Sequence, residues 1–292
     1  MAQWTHIPIM AEEIADLLLI NPQGIYVDGT LGLGGNTRYF LTRLGEQAQI
    51  FGFDKDEEAL QMAQQNVNDT RLIPFHASYS QAPELLAQQG IEKVDGVLLD
   101  LGLSSYQLDN PQRGFSIMSN GPLDMRFDLK NPISAATIVN TWKLEDLIRI
   151  LTDYGEERRA EDIALAIMRA RKEKPLTTTK ELANVVESVL PRRGKTHPAT
   201  QTFQALRIAC NRELETVEQG LACLPCLLKQ GGRAAILTFH SLEDRLVKNY
   251  FKKLAQEGIF RLINKHALVP SYEEVRKNRR ARSAKLRVIE RI

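Results

Sequence analysis

The stretch Ile25-Tyr-Val-Asp-Gly-Thr-Leu-Gly-Leu-Gly-Gly-Asn36 limits what this chain can fold into more than any other. Ile25 to Val27 is an apolar run of strand length. Gly29, Gly32, Gly34 and Gly35 follow, and then Thr37-Arg-Tyr-Phe-Leu41 at helical spacing. Strand, glycine turn and helix make the front of a nucleotide-binding βαβ unit. Glycines let backbone approach a ligand closely, and a helix start presents unpaired N–H groups. Gln49-Ile-Phe-Gly-Phe-Asp54 supplies a second strand ending in a carboxylate, placed to accept hydrogen bonds from ribose hydroxyls.

The ligand is narrowed by what the loop lacks. A nicotinamide dinucleotide prefers Gly-x-Gly-x-x-Gly, whereas Gly32-Leu-Gly34-Gly-Asn-Thr37 has threonine at the third position. Asp28, at the end of the strand and followed by alternating glycines, resembles the first motif of S-adenosylmethionine-dependent methyltransferases. Thr30 stands where many of those enzymes carry their first glycine.

The remaining periodicity predicts strands alternating with helices. Helices are expected over Ile9–Ile20, Thr37–Leu44, Glu57–Val67 and Pro83–Gln89, and strands over Ile50–Phe53, Leu72–Phe75 and Val94–Asp100. That alternation implies a parallel, doubly wound sheet. The fourth strand should lie beside the first, where the sheet reverses direction and ligands bind. Asp100–Gln107 would then face the glycine loop. The next strand of this kind, Ala234–Phe239, lies more than a hundred residues on, far beyond what a crossover needs.

The excess reads as an all-α insert over residues 108–205. It opens with a loop, Asp109–Asn131, and continues with helices marked by Leu144/Leu147/Ile148/Leu151, by Ile163/Ala166/Ile167/Ala170, and by Leu182/Val185/Val186/Val189 capped by Thr179. From about Pro198 to Lys229 the pattern is helical, and its last part is expected to return to pack on the sheet. Leu242–Lys253 is a helix beginning at His240-Ser241. Phe260–Asn264 and Ala284–Ile289 would close the sheet as an antiparallel hairpin, joined by the basic loop Arg276–Lys285.

Composition sets the class. With 43% hydrophobic residues in 292, the chain can bury one large core or two smaller ones. No run approaches the roughly 18 apolar residues of a membrane span. Met1 to Pro8 lacks a signal peptide's basic start and apolar core, so a cytoplasmic protein is expected. Three cysteines suit a reducing compartment. Cys223-Leu-Pro-Cys226 has no second pair to complete a zinc site, so no metal is expected and the thiols read as buried and structural. Net charge is only +2, but Ser271–Ile292 holds eight Lys or Arg against three Asp or Glu. A basic end on a near-neutral chain suggests a polyanionic partner at one edge.

Taken together, these motifs resemble the bacterial rRNA small-subunit methyltransferase H family (MraW type). The resemblance rests on His6-Ile-Pro-Ile-Met10, Asp28-Gly-Thr-x-Gly-x-Gly-Gly35, Asp100-Leu-Gly-Leu-Ser-Ser-x-Gln-Leu-Asp109 and Arg113-Gly-Phe-Ser116. It continues through Gly121-Pro-Leu-Asp-Met-Arg126, Gly155-Glu-Glu-Arg158, His197-Pro-Ala-Thr-x-Thr-Phe-Gln-Ala205, Phe239-His-Ser-Leu-Glu-Asp-Arg245 and Ala281-Arg-Ser-Ala-Lys-Leu-Arg287. These span nearly the whole chain in the family's order. Two positions depart: Asn36 stands where many members have histidine, and Tyr79 where phenylalanine is common.

The resemblance implies a Rossmann-like α/β class I methyltransferase sheet over residues 1–107 and 206–292, with the inserted helical domain recognising RNA. The implied reaction is transfer of a methyl group from S-adenosylmethionine to N4 of a cytidine in the decoding region of 16S rRNA. Carried over residue by residue, the cofactor contacts are Gly34, Gly35, Asn36, Asp54, Tyr79, Asp100 and Gln107.

Cytosine's amino lone pair is conjugated into the ring. Transfer therefore needs positioning and an acceptor for an N–H proton. Amino methyltransferases use an Asp/Asn/Ser-Pro-Pro-aromatic turn after the fourth strand. Here Asp100-Leu-Gly-Leu lacks the prolines, leaving Asp100 open to cofactor binding, catalysis or both. Tyr79 would pack on adenine or in the core. His240 would face substrate or start a helix, and His197 would be structural or face RNA. A nicotinamide oxidoreductase and a non-catalytic RNA-binding protein are the alternatives; monomer and homodimer both remain open.

Overall fold

The computed structural model describes residues 8–192, 194 and 196–292. His6 and Ile7 of the first motif, and the N-terminal stretch read for a signal, lie outside the described residues. The chain divides into two compact units, one formed by the chain to Gly102 with Leu214–Ile292, the other by Leu103–Glu213.

The first unit begins with α1 (Ala11–Leu18), whose buried Ile14, Ala15 and Leu18 share one face. Then β1 (Ile25–Asp28), α2 (Gly35–Leu41), β2 (Gln49–Asp54), α3 (Glu57–Val67), β3 (Leu72–His76), α4 (Ala82–Gln88) and β4 (Val94–Asp100) follow in strict alternation. Helix α3 starts where Asp56 accepts hydrogen bonds from the amides of Glu58 and Ala59, an N-cap that fixes its first turn. Every residue of β4 except Asp100 is buried, as expected of a strand covered on both faces.

The second unit is helical: α5 (Ser105–Asp109), α6 (Ala135–Thr141), α7 (Leu144–Asp153), α8 (Ala160–Glu173), α9 (Thr179–Val189) and α10 (Thr200–Asn211). Its core gathers Ile138, Leu147, Ile150, Ile163, Ile167, Leu182, Val186, Phe203 and Leu206. Boundaries at 107/108 and 205/206 would cut α5 and α10, so the junctions lie instead at 102/103 and 213/214.

Helix α6 was not anticipated. It has only seven residues, several β-branched, and is started by a capping box between Ser134 and Thr137. The cap of α9 is Thr178, not Thr179, because the box needs Glu181 three residues on. The expected loop after Asp109 contains a 3₁₀ turn, Pro111–Arg113. It is held from within by buried Arg113, whose Nη2 donates to the carbonyls of Arg126 and Phe127.

The helical pattern expected from about Pro198 to Lys229 is two helices. Arg212 takes φ 50°, a left-handed turn that ends α10 before α11 (Glu213–Leu227) begins. Then β5 (Leu228–Thr238) starts six residues ahead of the expected Ala234, α12 covers Ser241–Gln256, and β6 is only Phe260–Leu262. The basic segment is not a plain loop, because α13 (Tyr272–Lys277) and a 3₁₀ turn, Arg279–Ser283, occupy it before β7 (Lys285–Arg291).

The sheet order is β3-β2-β1-β4-β5-β7-β6. β1 to β5 are parallel and β7 is antiparallel to both β5 and β6. Period-two alternation sends Val27, Phe51, Phe53, Leu99 and Ile236 to one face, against Leu221 and Leu224 of α11 and Phe251 of α12. Tyr26, Ile50, Leu98, Ala235 and Leu237 go to the other, against α1 and α2. Both faces are covered, which leaves the carboxyl ends of the strands as the place for a ligand in a sheet of this kind. Among the described residues no helix is long and apolar enough to cross a membrane.

Candidate active site

β1 pairs with β2 on one side and β4 on the other, which sets the C-terminal acids of three adjacent strands at one edge of the sheet. Asp28 is fully buried. Its Oδ2 accepts a hydrogen bond from Thr37 Oγ1 at 2.7 Å, and its Oδ1 accepts from the Thr30 amide at 3.3 Å. Burial pushes its carboxyl up to about 6, with both bonds opposing the rise. A glycine at 37 could make no such bond, which accounts for the departure from the dinucleotide fingerprint.

The glycine loop is shaped by the protein's own packing. Gly34 precedes α2 at φ 78°, and a Cβ there would meet Val67 Cγ2 at 2.6 Å. A Cβ on Gly29 would meet Leu99 Cδ2 at 2.4 Å and Tyr79 Cβ at 2.8 Å. Asp54 braces the same loop: its Oδ2 accepts from the Gly32 amide at 2.7 Å and its Oδ1 from the Asp56 amide at 2.9 Å. Burial raises the Asp54 carboxyl to about 6 against those two bonds, helped by the charges of Asp56 and Asp28. Each oxygen keeps a lone pair for a further donor.

Asp100 closes the arrangement. Its amide donates to Thr30 Oγ1 at 2.7 Å, tying the end of β4 to the turn after β1. Its Oδ2 accepts from Asn36 Nδ2 at 3.0 Å, while its Oδ1 has no partner among the described residues. Burial, partly offset by the Asn36 bond and reinforced by Asp28 and Glu243, raises this carboxyl to about 7. Thr30 and Thr37 thus carry the hydroxyls that organise two of the acids. Neither was singled out as a site residue; a hydroxyl two residues after a strand-end aspartate and another one turn into the next helix are the signal for them.

Of the residues named from sequence, Asn36 and Asp100 are bonded to each other, Asp54 braces Gly32, and Gly34 and Gly35 lie between Gly32 and Asn36 in the same loop. Tyr79, in the 3₁₀ turn Tyr79–Gln81 after β3, packs on the face of the sheet that carries α11. A Cβ on Gly220 would lie 2.4 Å from its Cε2, so a glycine in α11 makes room for the ring. Gln107 belongs to the helical unit, where it is buried and its side-chain oxygen accepts from the Ser104 amide at the start of α5.

His240 is the N-cap of α12. Its Nδ1 accepts from the Glu243 amide at 3.4 Å, and its buried Nε2 sits 3.0 Å from Glu243 Oε1 without hydrogen-bond alignment. His197 accepts from the Ala199 amide and pairs with Glu187 at 3.1 Å. Of the cysteines, Cys210 alone is buried; Cys226 is exposed on α11, contrary to the expectation of core thiols.

A strand turned antiparallel between the fifth and the edge, beside parallel strands whose terminal carboxylates enclose a glycine loop, gives the fold of the class I S-adenosylmethionine-dependent methyltransferases. The narrower assignment comes from the sequence. The model of the MraW methylase family matches residues 3–292, and the chain belongs to that family.

A ribosomal RNA small subunit methyltransferase H from Elusimicrobium minutum is 57% identical over 100% of both chains. The protein of the same name from Carboxydothermus hydrogenoformans is 43% identical over 99% of each. Likeness to solved structures is looser: a putative rRNA-methylase from Clostridium thermocellum has a TM-score of 0.48 at 14% identity, over 97% of this chain and 95% of that one.

S-adenosylmethionine is the methyl donor of this class, and the residues fit it. Asn36 Oδ1 is a buried acceptor with no partner among the described residues, suited to an ammonium group. The spare lone pairs of Asp54 suit ribose hydroxyls, and the cluster of carboxylates suits a cation.

Proposed function

We propose that this methylase transfers the methyl group directly, in line, to the N4 amino group of a cytidine in the decoding region of 16S rRNA. Support for the RNA comes from the relatives' shared name, which specifies small-subunit ribosomal RNA. Support for an exocyclic amine comes from one observation above the rest. Asp100 combines a carboxyl raised to about 7 with an oxygen, Oδ1, that has no partner among the described residues.

When bound, the cofactor supplies an electrophilic methyl group on a sulfonium. The chain's own part is positioning and proton transfer. Asn36 Nδ2 holds Asp100 by Oδ2, and the Thr30 hydroxyl holds its amide, so Oδ1 is the atom left to accept the amine proton. A base with a pKa near the working pH is suited to that task. Asp54 and Asn36 hold the cofactor's polar groups, and Asp28 works through Thr37 and Thr30 to fix the turn beneath them. A base in duplex RNA must be unstacked to bring its amino group to Asp100 Oδ1, which favours an unpaired target. The helical unit, Leu103–Glu213, serves in this reading to recognise RNA.

Asp100→Asn tests the assignment. It keeps the shape and an acceptor oxygen and removes the charge. Turnover should fall by about 10²–10⁴-fold, the range for lost general-base help, with a smaller change in cofactor affinity. Mass spectrometry of rRNA from cells carrying only the variant reads the product. Full N4-methylcytidine, with wild-type single-turnover rates, would move the proton acceptor to a backbone carbonyl such as that of Leu101 or Gly102. Loss of a different methylated nucleotide in cells lacking the protein would refute the choice of cytidine.

A further inference from the structure

The basic end of the chain is a built surface. Helix α13 is capped by Ser271, whose Oγ accepts from the Glu274 amide at 3.1 Å. Glu274 Oε1 in turn accepts from the Met10 amide at 2.8 Å, anchoring α13 to the segment that leads into α1. Val275 packs into the core on the α1 face of the sheet, and Ala281 and Ala284 are buried in that core. Asn278 caps the 3₁₀ turn through the Arg280 amide at 3.1 Å. Upstream, Leu268 and Leu286 exchange both backbone hydrogen bonds, at 3.0 and 2.8 Å.

What this frame presents to solvent is unusual in two ways. Tyr272 is 82% exposed, although the aromatic side chains of a folded domain are mostly covered. It lies four residues before Arg276, so the two share one face of α13. Arg276, Lys277, Arg279 and Arg282 are all exposed and have no acidic partner among the described residues. Cations held without counter-charges beside a bare aromatic ring match what a single-stranded nucleic acid requires: phosphates along a basic track and a ring on which a base can stack.

We propose that Tyr272 is a stacking platform for one unpaired base of the RNA, with Arg276, Lys277, Arg279 and Arg282 holding the flanking phosphates. This rests on the reading of the protein as an RNA methylase and adds the form of RNA it grips, a single-stranded segment, and the residues that grip it. The surface favours RNA over a lipid bilayer, because α13 has only six residues and its aliphatic side chain, Val275, packs against the core, which leaves the outer face of the helix to Tyr272 and its charges. It favours an unpaired strand over a duplex, because a base inside a helix offers no free face to the ring.

Fluorescence anisotropy with a labelled single-stranded oligoribonucleotide and the matching duplex tests this on the full chain. Tyr272→Ala should weaken single-strand binding about 5- to 150-fold, the range for one lost base–aromatic stack. Tyr272→Phe, which keeps the ring, should bind as the wild type does. Arg279→Gln with Arg282→Gln should flatten the plot of log affinity against log salt by about 1.4, at about 0.7 per phosphate contact on a single strand. Tyr272→Ala should leave that slope unchanged.

Wild-type affinity in Tyr272→Ala, duplex binding as tight as single-strand binding, or capture by anionic vesicles in place of RNA would each overturn the proposal. Methylation of small-subunit RNA by the wild type, assayed separately, decides the reading beneath it. Methylation with an indifferent Tyr272 sinks only the platform. A Tyr272-dependent grip on RNA without cytidine methylation sinks only the choice of target.

Discussion

Replacing Thr37 with valine removes one hydroxyl of matched volume from beneath the site, and its cost should depend on pH in a way that packing alone cannot reproduce. Thr37 is wholly buried, and its Oγ1 donates to Asp28 Oδ2 at 2.7 Å. The other recorded bond to that carboxyl, from the Thr30 amide, is 3.3 Å long and so weaker. At pH 8 Asp28 is ionised, because its pKa lies at about 6. A hydrogen bond to a charged group contributes about 1.5–3 kcal/mol, a neutral one about 0.5–1.5. The variant should therefore lose about 2 kcal/mol at pH 8 and about 1 kcal/mol at pH 5, where folded Asp28 is mostly protonated. By linkage that difference is a further rise of about 0.7 in the Asp28 pKa. Thermal unfolding should show a fall of roughly 4–8 °C at pH 8 and about half that at pH 5. Equal losses at the two pH values would refute the reasoning, since they would mean that the hydroxyl matters only through shape.

The same carboxylates make the ligand-free protein prefer mild acid. Asp28 and Asp54 are raised to about 6 and Asp100 to about 7, so the fold favours their protonated forms; their contribution is fully present below the unfolded value near 4 and is lost as pH rises through 6 to 7. Asp95, Asp244 and Glu290 are lowered by their Lys and Arg partners, so their contribution is lost below about pH 4, and unfolding should show greatest stability near pH 5; a curve that rises steadily from pH 5 to 8 would contradict this. Asp54→Ala should weaken S-adenosylmethionine by about 1–3 kcal/mol in calorimetry. Because Asp54 also holds the Gly32 amide, the variant should in addition unfold at lower temperature without ligand, and unchanged affinity would remove Asp54 from the site.

How much of this was legible beforehand follows from the range of each interaction. Strand β4 and helix α3 have the expected bounds, Val94–Asp100 and Glu57–Val67, because an apolar run and a 3.6-residue period are local signals. The place of β4 beside β1 followed from the rule that ligands sit where the sheet reverses. The short α6, the break at Arg212 and the helical turns in the basic segment were not legible. The first depends on a capping box, the second on one left-handed residue, and the third on contacts with Met10 and the core far away in sequence. In the site, the strand-end acids and the glycines were visible as residue types. Their partners were not. That Asp54 would brace Gly32, or that Thr30 would join Asp28 to Asp100, depends on distances between segments 22 and 70 residues apart.

Those partners also explain why one small region can carry three acids. Left unsupported, a cluster of buried carboxylates repels itself and costs several kcal/mol per charge to desolvate. Here each is partly compensated by neutral donors: Thr37 and Thr30 for Asp28, the amides of Gly32 and Asp56 for Asp54, and Asn36 for Asp100. None of these donors brings a full positive charge, so the negative potential is held in place and only partly quenched. An arginine in any of those positions would have neutralised it and lowered the pKa of its neighbour. Neutral donors instead leave Asp100 near 7, able to accept a proton, and they leave a site that gains most from a ligand carrying positive charge. In the proposed reading, the choice of threonine, asparagine and backbone amide over arginine and lysine would let the same residues hold a cationic methyl donor and keep a base ready for an amine.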